Sequence, residues 1–126
     1  MLPDSLKVGL AVIDDRHEEF WTLLEKLKSE KNDEVFVLIF ARLIEHTKEH
    51  FTAEEADMRQ IASANLHEHT QEHKKALEEM EYFYSKGTKG LMPFARNYVN
   101  DRAENWFRQH LLNMDSDLAR ELKKRQ

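Results

Sequence analysis

The sequence predicts an all-α protein: an up-down-up-down antiparallel four-helix bundle preceded by a short N-terminal arm. Gly (3) and Pro (2) are scarce in the 126 residues, so the turns that a set of short strands would need are missing. Apolar residues recur at spacings of three and four along four long segments, which is the pattern of helices with one buried face. Short connections between such segments make successive helices antiparallel.

The first two helices carry start signals of the N-cap type. Asp15, followed three residues later by Glu18, resembles a capping box, in which each of two side chains accepts a backbone N–H of the first turn. Asn32 or Asp33 can accept a backbone N–H at the start of the second helix. We therefore expect the first helix to begin close to Asp15 and the second close to residue 33.

Similar signals delimit the third and fourth helices. Asn65 with Glu68 repeats the capping-box spacing ahead of the third helix. Gly87 and Gly90 favour the end of that helix, because glycine readily adopts the left-handed conformation found just past a helix C-terminus. Pro93 suits the first turn of the fourth helix, where its missing N–H costs nothing.

Length and composition narrow the class of protein. We expect residues 1–126 to form one domain, since a chain of 126 residues suits a single core. It has no cysteine, which excludes disulfides, thiolate metal sites and thiol catalysis and fits a reducing compartment. The longest apolar run, residues 35–41, is too short to span a bilayer, and the first twenty residues hold no signal-peptide segment. A cytoplasmic protein without membrane contact is therefore expected.

The charge balance argues against one class of partner. The formal net charge is -5 and both signs are mixed along every segment, whereas binding to nucleic acid favours a basic face. The outward faces carry no long apolar patch, so no oligomeric state is predicted.

Five histidines lie on the apolar stripes, and all four helices contribute at least one. A buried polar group without a partner costs about 1 to 3 kcal/mol, so five of them would cost on the order of 5 to 15 kcal/mol, comparable to the stability of a whole domain. Any one histidine on such a face is usually a satisfied core residue, but five together favour a metal site. The five are His17, His50, His69, His73 and His110.

The spacing within the second and third helices favours a shared cage. His50 and Glu54 are four residues apart, as are His69 and His73, so each pair projects from one face of its helix. Two such pairs that face one another bring four ligands to one place. Each pair needs a partner helix to complete the cage.

The fourth helix adds a second carboxylate. Asp115 follows His110 by five residues, near the expected end of the helix, where the carboxylate can turn back toward the cage. Five imidazoles and two carboxylates exceed what one tetrahedral zinc ion uses, whereas two octahedral-type ions fit the count. If both carboxylates and an oxygen bridge the ions, three histidines complete one ion and two leave an open position on the other.

These residues resemble the motifs of the hemerythrins, especially the bacterial single-domain members, over nearly the whole chain. The motifs are His17, His50-Phe51-x-x-Glu54, His69-x-x-Glu72-His73, and Trp106-x-x-x-His110 with Asp115. The resemblance implies two non-haem iron ions bridged by Glu54, Asp115 and an oxo or hydroxo group. It implies that His69, His73 and His110 bind one iron and that His17 and His50 bind the other.

The resemblance also implies a function, which is reversible binding of dioxygen for storage or delivery, without enzymatic activity. Four aromatic residues, Trp21, Phe51, Trp106 and Phe107, are candidates for an apolar wall around the iron pair. His46, one turn before His50, is interpreted as a partly buried hydrogen-bonding residue, although it is also a candidate alternative ligand or a hydrogen-bond partner of a ligand. His67 is interpreted as a solvent-exposed residue.

Three other functions remain open at this stage. Residues 69–73 match the H-x-x-E-H signature of a zinc peptidase with Glu72 as the base, but that hypothesis leaves His17, His50 and His110 without a role. A related di-iron enzyme that acts on nitric oxide, peroxide or damaged iron–sulfur clusters is the main alternative. A sensor of oxygen or iron is the third.

Overall fold

Four long helices follow one another in the computed structural model, which describes residues 1–125. They are α1 (Ala11–Ser29), α2 (Asp33–Gln60), α3 (Leu66–Thr88) and α4 (residues 92–123), and a 3-10 turn at Asp4–Leu6 lies in the N-terminal arm. Helix α2 packs against α1 and α3, and α4 packs against α3 and α1. The prediction of an all-α four-helix bundle is therefore confirmed. None of the helices described is long and apolar enough to cross a bilayer.

Helix α4 is continuous but contains two π-helical stretches. Its α-helical parts are Met92–Asn97, Glu104–His110 and Ser116–Lys123, and its π-helical parts are Tyr98–Ala103 and Leu111–Asp115. A π turn closes on the fifth residue rather than the fourth, so it changes which side chains lie on the inner face. The sequence patterns predicted the helix and neither of these stretches.

The start of α1 differs from the capping-box prediction. The helix begins at Ala11, its N-cap is Leu10, and no side chain caps it. The carboxylate of Asp14 accepts hydrogen bonds from the backbone N–H groups of Val8 and Gly9, at 2.8 and 3.1 Å. Because these bonds hold the arm against the first turn, the helix starts one turn earlier than predicted. The prediction of a capping box at Asp15 is therefore wrong.

The other helix boundaries follow the sequence signals more closely. Asn32 caps α2, since its side chain accepts the N–H of Val35 at 3.0 Å. Asn65 is the N-cap residue of α3, but its side chain makes no capping hydrogen bond, so the second predicted capping box is also wrong. Gly90 follows α3 with a φ of +84°, and Pro93 lies in the first turn of α4, as predicted.

The core consists of two apolar clusters. The small cluster contains Ile13, Met58, Ile61, Leu118 and Ala119. The large cluster fills the rest of the bundle and includes the buried arm residues Leu2 and Leu6.

A layer of buried polar side chains separates the two clusters. On α1 it lies between Ile13 of the small cluster and Phe20 of the large one, and on α4 it lies between Phe107 of the large cluster and Leu118 of the small one. The bundle therefore encloses its polar side chains on both sides with apolar packing.

Candidate metal centre

The polar layer contains all seven predicted ligand residues. Each side chain belongs to a residue that is at most 4% exposed. Helix α1 supplies one residue and each of the other three helices supplies two: His17, then His50 and Glu54, then His69 and His73, then His110 and Asp115.

Regular helical geometry accounts for the pairs on α2 and α3. Residues four apart lie on one face of an α-helix about one turn apart. On α2 the Nε2 atom of His50 lies 2.8 Å from Oε2 of Glu54. On α3 the rings of His69 and His73 lie 4.5 Å apart between centroids.

The pair on α4 depends on the second π-helical stretch. In a regular α-helix a residue five positions along points about 140° away from the first, so Asp115 would face away from His110. The stretch Leu111–Asp115 closes on the fifth residue, and it brings Oδ1 of Asp115 to 3.0 Å from Nε2 of His110. Asp115 therefore faces the centre as predicted, but the helix does not end near it as expected, because it continues to Lys123.

Glu54 presents one oxygen to each side of the centre. Its Oε1 atom lies 3.1 Å from Nε2 of His73 and 3.5 Å from Nε2 of His69. Its Oε2 atom lies 2.8 Å from Nε2 of His50 and 3.8 Å from Nε2 of His17. The carboxylate is therefore shared between two groups of histidines.

Asp115 is shared in the same way. Its Oδ1 atom lies 3.0 Å from Nε2 of His69 and 3.0 Å from Nε2 of His110, whereas its Oδ2 atom lies 2.8 Å from Nε2 of His17. Two overlapping sets of potential ligand atoms result, and the atoms within each set lie no more than 4.8 Å apart. The three-histidine set contains His69, His73 and His110, the two-histidine set contains His17 and His50, and both contain Glu54 and Asp115.

Several buried atoms of these residues lack hydrogen-bond partners within residues 1–125. Both nitrogens of His17, Oε1 of Glu54 and Oδ2 of Asp115 are among them. The Nε2 atom of His17 approaches Oδ2 of Asp115 to 2.8 Å, but not at the angles of a hydrogen bond. Leaving such groups without partners in a core costs free energy. The protein atoms alone therefore do not satisfy the polar groups of this layer.

The electrostatics of the layer favour a bound cation. Burial alone would raise the pKa of Asp115, but the imidazoles of His110, His17 and His69 outweigh it and hold that pKa well below its usual value. The pKa of Glu54 is likewise held well below its usual value against burial and the charge of Asp115. Both carboxylates are therefore anionic in the core, where a buried charge needs a counter-charge.

The separations between ligand atoms also suit a common cation. Two ligands at right angles, each about 2.1 Å from a metal ion, lie about 3.0 Å apart. The Nε2 atom of His110 lies 3.2 Å from that of His69 and 3.3 Å from that of His73. A hydrogen bond accounts for one proton between two nitrogens, whereas a cation accounts for all of the lone pairs that converge here.

Aromatic side chains border the centre, and three of the four predicted wall residues contact a histidine ring. Phe51 stacks on His73 at 3.7 Å between centroids, and Trp106 stacks on His110 at 4.6 Å. Phe107 meets the ring of His17 edge-on at 5.6 Å.

The fourth predicted wall residue, Trp21, lies farther from the centre. It packs against Phe107 at 6.1 Å between ring centroids, so it supports the wall from behind.

The remaining histidines lie outside both sets of ligand atoms. His46 is partly buried, with Nε2 3.2 Å from the carbonyl oxygen of Arg16 and Nδ1 3.1 Å from Glu19. It is therefore a hydrogen-bonding residue, as interpreted from the sequence. His67 is exposed, as expected.

Two contacts at the edge of the centre were not predicted from the sequence. Oε2 of Glu55 lies 2.9 Å from Nδ1 of His73, on the side of the ring away from the centre. Oε1 of Glu72 lies 3.6 Å from Nδ1 of His110, and its side chain is 41% exposed. The only sequence signal for either contact is a glutamate next to a candidate ligand. The periodicity of one helix does not predict which residue of a neighbouring helix such a glutamate contacts.

The fold and the polar layer together define a class: helical-bundle proteins that hold cations in the core with imidazole and carboxylate groups. Comparison with known proteins agrees. Residues 8–122 match the model of the hemerythrin HHE cation-binding domain, and the chain belongs to this family.

One curated relative also matches. The chain is similar to a protein of Ralstonia nicotianae named bacteriohemerythrin, with 32% identity over 112 residues, which cover 89% of this chain and 80% of the relative. No solved structure matches the chain. The family description is that of a cation-binding domain.

Proposed function

We propose that this protein binds two non-haem iron ions in the polar layer and uses them to bind dioxygen reversibly. The observation that carries the proposal is the division of each shared carboxylate, with one oxygen near the three-histidine set and the other near the two-histidine set. A carboxylate placed in this way would be able to bind two metal ions, one through each oxygen. The proposed ligands are His17, His50, Glu54, His69, His73, His110 and Asp115.

The ligand count makes the two metal positions unequal. Three nitrogens and two carboxylate oxygens are available to one position, and two nitrogens and two carboxylate oxygens to the other. A bridging oxo or hydroxo group would bring these totals to about six and five, and six is the number that an octahedral ion uses. With metal bound, an open place would therefore remain in the two-histidine set, next to His17 and His50.

The surroundings of that open place suit a small apolar ligand. The ring of Phe107 packs perpendicular to that of His17, at 5.6 Å between centroids, and it stacks on Phe20 at 4.3 Å. These residues are at most 2% exposed, so the wall excludes water and the protons that water carries. Ferrous iron at this place would supply the dioxygen-binding chemistry, and the chain supplies the ligands and the dry wall.

The family match supports the proposal that the bound cation is iron. The matching domain is described as cation-binding, and the similar protein from Ralstonia nicotianae carries a hemerythrin name. An imidazole-rich set without sulfur suits iron among the common transition metals. We also propose that residues 1–126 form one domain in the cytoplasm, which the family match over residues 8–122 supports for the domain.

Metal content and gas binding test the proposal directly. Protein expressed with ample iron should contain about two irons per chain, one for each set of ligand atoms. Its reduced form, exposed to air, should develop an absorption band that disappears under vacuum and returns with air. One zinc and no iron per chain would refute the metal assignment.

The same measurement separates a carrier from an enzyme. Immediate and irreversible oxidation of the reduced protein by air would contradict reversible binding. Turnover of nitric oxide or peroxide, or repair of damaged iron–sulfur clusters, would then be the next activities to assay. If the protein takes up and releases oxygen through repeated cycles of air and vacuum, these enzymatic activities are excluded as its main role.

Substitution of a shared carboxylate tests the bridging role. Glu54→Ala should abolish the spectrum of the paired irons, because both metal positions lose a ligand. Glu78→Ala, an exposed glutamate on α3, is the matched control and should retain that spectrum. A Glu54→Ala protein with the spectrum of the wild type would remove Glu54 from the site.

A further inference from the structure

The ring of His73 is held more completely than the ring of His17. Its Nδ1 atom pairs with Oε2 of Glu55 at 2.9 Å. Its face stacks on Phe51 at 3.7 Å between centroids, with the two planes only 2° apart. The hydrogen bond fixes the rotation of the ring and the stacking fixes its plane, so Nε2 has one direction left, toward the centre.

Glu55 reaches this ring because of its position on α2. Neighbouring residues of an α-helix point about 100° apart. Glu54 points into the polar layer, so Glu55 points sideways toward α3, where His73 lies. Consecutive glutamates of one helix thus contact the same imidazole from opposite sides, since Oε1 of Glu54 lies 3.1 Å from its Nε2 atom.

The pairing has a chemical consequence. A neutral imidazole carries a proton on one nitrogen and a lone pair on the other. A carboxylate beside Nδ1 keeps the proton there, so the lone pair of Nε2 is directed at the centre. It also increases the electron density that the imidazole donates to a metal ion.

Other histidines of the centre are held differently. Glu72 approaches Nδ1 of His110 only to 3.6 Å, which is beyond hydrogen-bond distance. Nδ1 of His17 has no hydrogen-bond partner among residues 1–125. The effect of Glu55 therefore falls on the three-histidine position and not on the two-histidine position.

We propose that Glu55 is a positioning residue that acts through His73: it orients the imidazole, holds its proton on Nδ1, and strengthens metal binding at the three-histidine position. A metal ion there is held more tightly, and its higher oxidation state is favoured, by the negative charge of Glu55. This inference rests on the proposed function, because it requires metal in the polar layer.

Two variants separate orientation from charge. Glu55→Ala removes the acceptor and the charge, and Fe²⁺ affinity should fall about 10- to 100-fold, measured anaerobically by competition with a chelator. Glu55→Gln keeps an oxygen that accepts the Nδ1 proton and loses only the charge. Its Fe²⁺ affinity should fall less, but the midpoint potential of its iron should rise, as measured with redox mediators.

The control and the contrary outcomes are distinct. Glu78→Gln and Glu78→Ala, exposed on α3, should match the wild type in affinity and potential, and circular dichroism should show all variants folded. An unchanged potential in Glu55→Gln, or an unchanged affinity in Glu55→Ala, overturns the inference while two irons in the wild type leave the proposed function standing. Wild-type protein without an iron pair overturns both.

Discussion

The two halves of the centre use the same shared carboxylates but differ in what surrounds their histidines. In the three-histidine half, His73 is fixed by Glu55 on its outer nitrogen and by the stacked ring of Phe51. In the two-histidine half, Nδ1 of His17 has no hydrogen-bond partner within residues 1–125, and the ring of Phe107 packs perpendicular to the His17 ring. His73 of the larger ligand set thus has polar support on its outer nitrogen, whereas the outer nitrogen of His17 in the smaller set has none.

This difference shows how one bundle makes two unequal metal positions. A ligand whose outer nitrogen is hydrogen-bonded favours a filled and rigid position. A smaller ligand set beside a dry apolar wall leaves room for an outside ligand and keeps water away from it. The asymmetry follows from which helix faces meet, since α1 contributes one residue and α3 contributes two.

The largest expected effect separates the two halves by metal content. His17→Ala removes a ligand of the two-histidine set only, and the three-histidine set keeps its five ligand residues. The iron content should therefore fall from about two to about one per chain, as measured by elemental analysis of the purified protein. Loss of both irons would show that the halves do not bind metal separately.

A smaller effect tests the apolar wall against ordinary core packing. Phe107→Ala and Phe36→Ala each remove a ring that is at most 2% exposed, and each should lower the free energy of unfolding by about 3 to 5 kcal/mol. Only Phe107→Ala should also accelerate the irreversible oxidation of the reduced protein, because only Phe107 borders His17. Denaturant titration and the decay of the oxygenated spectrum measure the two quantities.

The contrary result for this pair is equally clear. Equal oxidation rates in the two variants would show that the ring of Phe107 contributes stability and not exclusion of water. If either alanine variant is too unstable to purify, Phe107→Leu and Phe36→Leu keep more of the buried volume and allow the same comparison.

The smallest expected effect concerns the pH dependence of the metal-free protein. Burial opposes the charged form of His110, but Asp115 outweighs it and raises the pKa to about 10, from 6.5. The stabilisation is complete below about pH 6.5 and is lost as the pH rises toward 10.

The carboxylates of the metal-free protein act in the opposite direction. The pKa values of Glu54 and Asp115 are lowered from 4.5 and 3.8, so their stabilisation is present above these values and is lost as the pH falls below them. The free energy of unfolding should therefore be greatest between about pH 4.5 and 6.5. A stability that increases from pH 7 to 9 would contradict this assignment.

Much of the fold and of the candidate site could be predicted from local patterns. Spacings of three and four located the buried faces, and Ile13, Phe20 and Leu24 are buried as the pattern predicts. The five histidines lie on the same helix faces as these apolar residues. The sequence therefore also predicted that the histidines would meet in the core. The cap at Asn32 was predictable for the same reason, since it depends on residues three positions apart.

Features that depend on non-local contacts escaped prediction. The start of α1 is set by hydrogen bonds from the backbone of the N-terminal arm to Asp14. The sequence rules for helix capping do not predict bonds of this kind. The π-helical stretch Leu111–Asp115 places Asp115 against His17 of α1 and His69 of α3, which are distant in the sequence. A five-residue spacing between His110 and Asp115 was its one visible trace.

The sequence by itself determined the helical class, the four amphipathic faces and the side chains that can bind a metal, because these depend on periods of three and four along one helix. Only the tertiary structure decided that Glu54 and Asp115 each divide their oxygens between two sets of histidines. It also decided that Glu55 supports His73. These contacts join residues of different helices, and their distances follow from how the helices pack and not from spacing along any one of them.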